Sequence, residues 1–179
     1  MTLSLCALAI ACSHRVSLSV PSADTHLMTR CEAYYRLRPK TLRRTTTQYE
    51  SGGGKIDDEL FLADNTRVDV FEDLLPIVLP ESATARAVLD ADAFMTKRTL
   101  YGIAGGTSAI TGLAFLLSEQ EPLLTGGLLL GGLGFTIASA VYENRAGNAR
   151  IRAARTLDRS LREKLRLQPT TVTDGCEDL

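Results

Sequence analysis

The chain has 179 residues, 45% of them hydrophobic and 23% charged, with no tryptophan and a formal net charge of −1. That length admits one modest domain with appendages. Two histidines and four cysteines, no two of the cysteines at metal-ligand spacing, leave no basis for a zinc site.

Met1 to Cys12 is a short apolar run with small residues leading to a cysteine. It is too short to cross a membrane alone and reads as a signal-peptide core that is removed. Residues 13–44 read as a tether. Ser, Thr, Pro and Asp populate its first half, and the basic run Arg36 to Arg44 is broken by Pro39. Residues 45–80 form a small α/β segment. Thr45 to Glu50 is β-branched and aromatic and favours a strand, Ser51-Gly52-Gly53-Gly54 is a turn or flexible loop, and Lys55 to Ala63 reads as a second strand, with Glu59 to Leu62 also compatible with a short helix. Asp64-Asn65-Thr66 supplies a turn and a cap before Val68, Phe71, Leu74, Leu75 and Val78, which recur at helical spacing.

Pro80 ends that element, and Glu81-Ser82 opens a long helix through Ala85, Val88, Leu89 and Phe94. Residues 81–98 lead directly into two uncharged stretches, Thr99 to Ser118 and Leu123 to Tyr142, separated by Glu119-Gln120-Glu121-Pro122. At ~1.5 Å per residue each makes a helix of roughly 30 Å, about the thickness of a hydrocarbon core. The pattern predicts a transmembrane hairpin over 99–142. Residues 143–168 then form a basic amphipathic helix, with Ile151, Ala154, Leu157, Leu161 and Leu165 opposite arginines. Its stripe is expected to pack on the apolar side of residues 83–95. Residues 169–179, after the helix-ending Pro169, read as a disordered tail. The fold class is therefore a mainly α membrane protein: a two-helix hairpin with a small α/β head and a C-terminal amphipathic helix.

Glycines concentrate in the hairpin. Gly102 and Gly106, and Gly127 and Gly131, have the four-residue spacing that puts both members on one helix face; Gly126 and Gly132 widen the second stripe. In lipid no hydrophobic drive associates helices, so close backbone approach must supply the attraction. These six glycines are the expected packing seam, within one chain or between copies. The absence of charge inside the spans argues against a selective ion pathway.

No catalytic arrangement stands out. Gly52-Gly53-Gly54-Lys55 is followed by Ile56, not Ser or Thr, so it is no phosphate loop. Gly132-Leu133-Gly134 lacks the third glycine of a dinucleotide site and lies inside a span. His14 and His26 both fall in the tether. The net charge conceals two blocks: eleven acidic residues against three basic over 49–95, and eight basic against three acidic over 143–168. They are solvated faces, or they meet one another, or the basic block touches anionic headgroups. The basic block lacks the interleaved aromatics of a nucleic-acid surface. No enzyme, cofactor or metal is expected.

Ala9-Ile10-Ala11-Cys12 resembles a bacterial lipobox. Together with the glycine-rich double span, it makes the chain similar in architecture to bacterial envelope lipoproteins with a glycine-zipper hairpin. The resemblance implies lipidation at Cys12 and a structural role in a cell-envelope assembly. The implied partners are membrane lipid and either a second copy or another envelope protein. With Cys6 lost and Cys12 lipidated, Cys31 and Cys176 remain as an even pair able to close a disulfide in an oxidising compartment. In the cytoplasm both would stay free thiols. Lys97, Arg98 and Arg145 flank the spans and, in an inner membrane, place both ends in the cytoplasm. Insertion into the outer membrane from the periplasm removes that conflict with export. The alternative is a holin- or pore-like inner-membrane hairpin with both ends cytoplasmic.

Overall fold

A computed structural model describes residues 18–48, 54–68, 71–117, 122–168 and Cys176. The chain order is α1 (Leu27–Leu37), β1 (Pro39–Gln48), β2 (Gly54–Leu62), β3 (Arg67–Val68), a 3-10 helix (Phe71–Ile77), α2 (Ala83–Leu117) and α3 (Pro122–Leu165). It is a mainly helical fold dominated by two long apolar helices, with one small sheet.

Helix α2 starts where Ser82 caps it, its Oγ accepting from the Ala85 amide at 3.2 Å. No proline interrupts its 35 residues, which span about 52 Å. Helix α3 has Pro122 at its first position, where the missing N–H costs nothing, and continues for 44 residues, about 66 Å. The second apolar stretch and the basic amphipathic segment are thus one uninterrupted helix, with no break at 142/143. Helix α3 ends with Arg166 in a left-handed conformation (φ 51°), and the Leu167 amide donates to the Arg162 carbonyl at 2.9 Å.

The head is built round the base of these two helices. Strands β1, β2 and β3 form an antiparallel sheet in that order, with Leu42 opposite Leu60, Arg43 opposite Glu59 and Phe61 opposite Arg67. Leu60, Leu62 and Val68 from the sheet and Phe71, Leu74 and Ile77 from the 3-10 helix enter one core. They meet Ala85 and Val88 of α2 and Leu157, Leu161 and Leu165 of α3 there. The α3 stripe is therefore covered by the whole head, not by α2 alone.

Four readings need correction. Residues 27–37 of the expected tether are helix α1. Cys31, Tyr34 and Leu37 recur on one side and are buried against the core, but Arg30, Glu32 and Arg36 beside them dilute the pattern. Strand β1 begins at Pro39, six residues before the expected start, because pairing with Leu62, Phe61 and Leu60 recruits the basic run. Proline is tolerated there as the first strand residue. Phe71–Ile77 is a 3-10 helix with Pro76 inside it, not an α-helix. Finally, the tail is fixed at Cys176, which is 1% exposed. The signal segment 1–12, the start of the tether, the turn over 51–53 and the rest of 169–179 lie outside the described residues.

Candidate functional site

The outer parts of α2 and α3 carry the feature that calls for a partner. Ile110 is 72% exposed, Leu117 77%, Leu123 89% and Leu130 71%. Both helices are long and apolar enough to cross a membrane, and only 11% of the most apolar window of each is buried. A core helix of a soluble domain hides such a window. An apolar surface this continuous marks a contact with lipid or protein. Three threonine hydroxyls on these segments are closed within their own helix: Thr107, Thr111 and Thr136 donate to the carbonyls of Ile103, Thr107 and Gly132, four residues back, at 2.8–3.0 Å. That arrangement leaves those polar groups satisfied without water.

The two helices touch along a seam of small residues. A Cβ on Gly105 would sit 3.1 Å from Thr136 Oγ1, one on Gly132 would sit 3.1 Å from the Ala109 nitrogen, and one on Gly112 would sit 3.1 Å from the Leu129 side chain. Gly102 faces Ser139 at an ordinary 3.5 Å, and the Ser139 hydroxyl donates to the Arg98 carbonyl at 3.2 Å. Positions 98, 102, 105, 109 and 112 thus descend α2 as 139, 136, 132 and 129 ascend α3. Their alternating steps of four and three are the repeat of a coiled coil.

Of the six glycines singled out by sequence, Gly132 lies in this seam and Gly102 at its margin. A Cβ on Gly106, Gly126, Gly127 or Gly131 would meet nothing within 4 Å. These four point away from the other helix of their own chain. Gly105 and Gly112 fall outside a four-residue pairing rule yet face α3. Small residues at alternating three- and four-residue steps would have found them.

The seam continues into the head as hydrogen bonds and ion pairs. Arg98 meets Glu143 at 3.4 Å, Asp90 meets Arg152 at 3.8 Å, and the buried Thr84 hydroxyl lies 2.9 Å from Thr156 and donates to Ser160 at 3.0 Å. The acidic and basic blocks therefore meet, through Asp90 and Arg152. At the base of the apolar segments the rings of Tyr101 and Tyr142 stack at 5.3 Å, with Phe94 and Phe135 beside them.

A clasp closes the far end. Cys31 of α1 and Cys176 are joined by a disulfide, their Cα atoms 5.6 Å apart. One turn further along α1, Tyr34 donates its hydroxyl to Asp158 Oδ1 at 2.6 Å, and Arg162 pairs with the other carboxylate oxygen. Burial, reinforced by Asp158, pushes the Tyr34 pKa up to about 12. The hydrogen bond to Asp158 raises that of Arg162. Arg30 donates to the Leu165 carbonyl at the end of α3 at 2.8 Å, while Nε of both Arg30 and Arg162 is buried without a partner among the described residues.

A hollow of about 640 Å³ is lined by Arg159, Arg162, Glu163, Arg166, Leu167 and Gln168, but Glu163 occupies Arg159 and Asp158 occupies Arg162. His26 caps α1, its Nδ1 accepting from the Met28 amide at 3.3 Å. No group of three His, Cys, Asp or Glu residues could hold a metal among the described residues. Cys12 and His14 lie outside them. No family model, curated protein or solved structure matches the chain.

Proposed function

We propose that this chain is a non-enzymatic membrane-anchored component of a bacterial cell-envelope assembly, in which a hairpin of α2 and α3 fixes the compact head to one face of a bilayer. The observation that carries the reading is the outward apolar surface of the hairpin from Leu100 to Val141. An antiparallel seam closed by glycine, threonine and serine leaves the long leucines and isoleucines to face lipid, as a membrane requires.

The Cys31–Cys176 disulfide supports an oxidising compartment for the head. The head and both flanks of the hairpin then lie on the periplasmic side, with lipidation at Cys12 as a second anchor. The cations at the hairpin base favour the opposite side of an inner membrane, and insertion into the outer membrane reconciles the two. The open glycines Gly106, Gly126, Gly127 and Gly131 favour contact with a second copy or another membrane protein.

The test is extraction followed by intact mass. The protein should remain in the membrane fraction at alkaline pH, with a mass showing cleavage before Cys12 and added acyl chains. Recovery in the soluble fraction would overturn the membrane reading; an unmodified Met1 terminus would overturn the lipid anchor. A tag at Leu179 reached only from the cytoplasm would favour the inner-membrane pore instead.

A further inference from the structure

The hairpin leaves its apolar zone abruptly, and what stands there differs from the rest of the surface. Apart from Leu89, the exposed large apolar side chains of α2 begin with Leu100 and Ile103, and those of α3 end with Ile137 and Val141. Within one turn of that edge lie Lys97 and Arg98 from α2 and Glu143 and Arg145 from α3. Glu143 is engaged by Arg98. Lys97 and Arg145 have no acidic partner among the described residues. Both converge on one ring, Lys97 Nζ at 5.8 Å and Arg145 Cζ at 5.6 Å from the Tyr142 centroid, and Tyr142 is itself held by stacking on Tyr101.

Two like charges brought to one ring repel each other, and an anion bound beside both offsets that repulsion. The ring gives each cation a modest attraction and fixes where they stand. A ligand satisfying the whole arrangement carries a phosphate at this level and apolar chains rising along Leu100, Ile103, Ile137 and Val141. We propose that Lys97 and Arg145, both brought to the Tyr142 ring, form a headgroup site for an anionic glycerophospholipid. The inference rests on the membrane reading of the hairpin and deepens it by assigning the lipid class and the residues that choose it. Aromatic rings at the apolar edge suit the same depth, since they partition to the headgroup level.

The experiment uses the full-length purified protein, floated on vesicles of phosphatidylcholine alone and of phosphatidylcholine with phosphatidylglycerol. Native mass spectrometry then measures the lipid retained after detergent extraction. Wild-type protein should float on both and retain phosphatidylglycerol preferentially. Lys97→Gln or Arg145→Gln should each lower that preference about fivefold, the double variant should bring it near parity, and Lys97→Arg should keep it. Arg159→Gln, at the far end of α3, should leave it unchanged. Unchanged preference in the double variant, or none in the wild type, overturns the site while flotation keeps the membrane reading. Flotation on neither vesicle overturns both. Loss of retained phosphatidylglycerol to inorganic phosphate as readily as to added lipid would show that the site takes phosphate alone, and would overturn the lipid assignment.

Discussion

Gly105 and Gly132 exclude each other's side chains reciprocally. A Cβ on either would lie 3.2 Å from the carbonyl oxygen of the other. The obstacle is backbone on both sides, so it cannot rotate away.

Gly132→Leu should therefore splay the hairpin and cost about 1–3 kcal/mol, seen as a lower unfolding midpoint in detergent and faster proteolysis. Gly131→Leu, one residue away, adds its side chain to open space and should leave that midpoint unchanged. If it instead abolishes a higher-order species on crosslinking, the outward glycines join copies. Equal destabilisation by the two variants would refute the assignment of the seam.

The disulfide closes a loop between residues 145 positions apart, and that loop contains both long helices. Removing it as Cys31→Ser with Cys176→Ser should cost about 2–4 kcal/mol. The loss should appear in chemical denaturation of the head, and reduction of the wild type should reproduce it. Reductant added to the double variant should have no further effect. A wild-type protein indifferent to reductant would show that Cys31 and Cys176 do not pair.

Tyr34 offers a readout of the clasp through pH. Its pKa is raised in the folded state, from the ordinary 10.0 to about 12. The folded protein thus holds the proton more tightly than the unfolded chain. The stabilisation is fully present below pH 10 and is lost as pH rises toward 12. One tyrosine should ionise late in an absorbance titration, and Tyr34→Phe should remove it. At neutral pH that substitution should cost about 1–2 kcal/mol, since it deletes a hydrogen bond to a carboxylate.

The long elements were legible because their signal is redundant. Twenty uncharged residues in a row specify a helix whatever surrounds them, and Val88, Leu157, Leu161 and Leu165 mark the buried side by spacing alone. Helix α1 was not legible for the opposite reason. Its buried face is only four residues, Cys31, Ala33, Tyr34 and Leu37, and one of them, Cys31, is held by a bond to a residue that is remote in sequence. The six glycines show a third case. Composition revealed that close packing was intended, but which glycines meet depends on the rotation of two helices about their axes, and only the alternating three- and four-residue rhythm carries that information.

Arg166 occupies a position that glycine suits better. It is left-handed (φ 51°) just past the end of α3, where a non-glycine residue costs roughly 1–2 kcal/mol. Its ion pair with Asp24 spans 3.8 Å between highly exposed side chains, and such pairs contribute between nothing and about 1 kcal/mol. Glycine relieves the conformational cost but gives the unfolded chain more freedom, an offset of about 0.5–1 kcal/mol. Arg166→Gly should leave the head as stable or more stable by up to about 1 kcal/mol, whereas Arg166→Val, with a β-branched side chain in the same conformation, should destabilise it. Thermal melts of the two variants decide the matter: if glycine destabilises and valine does not, the left-handed cap is not what ends α3.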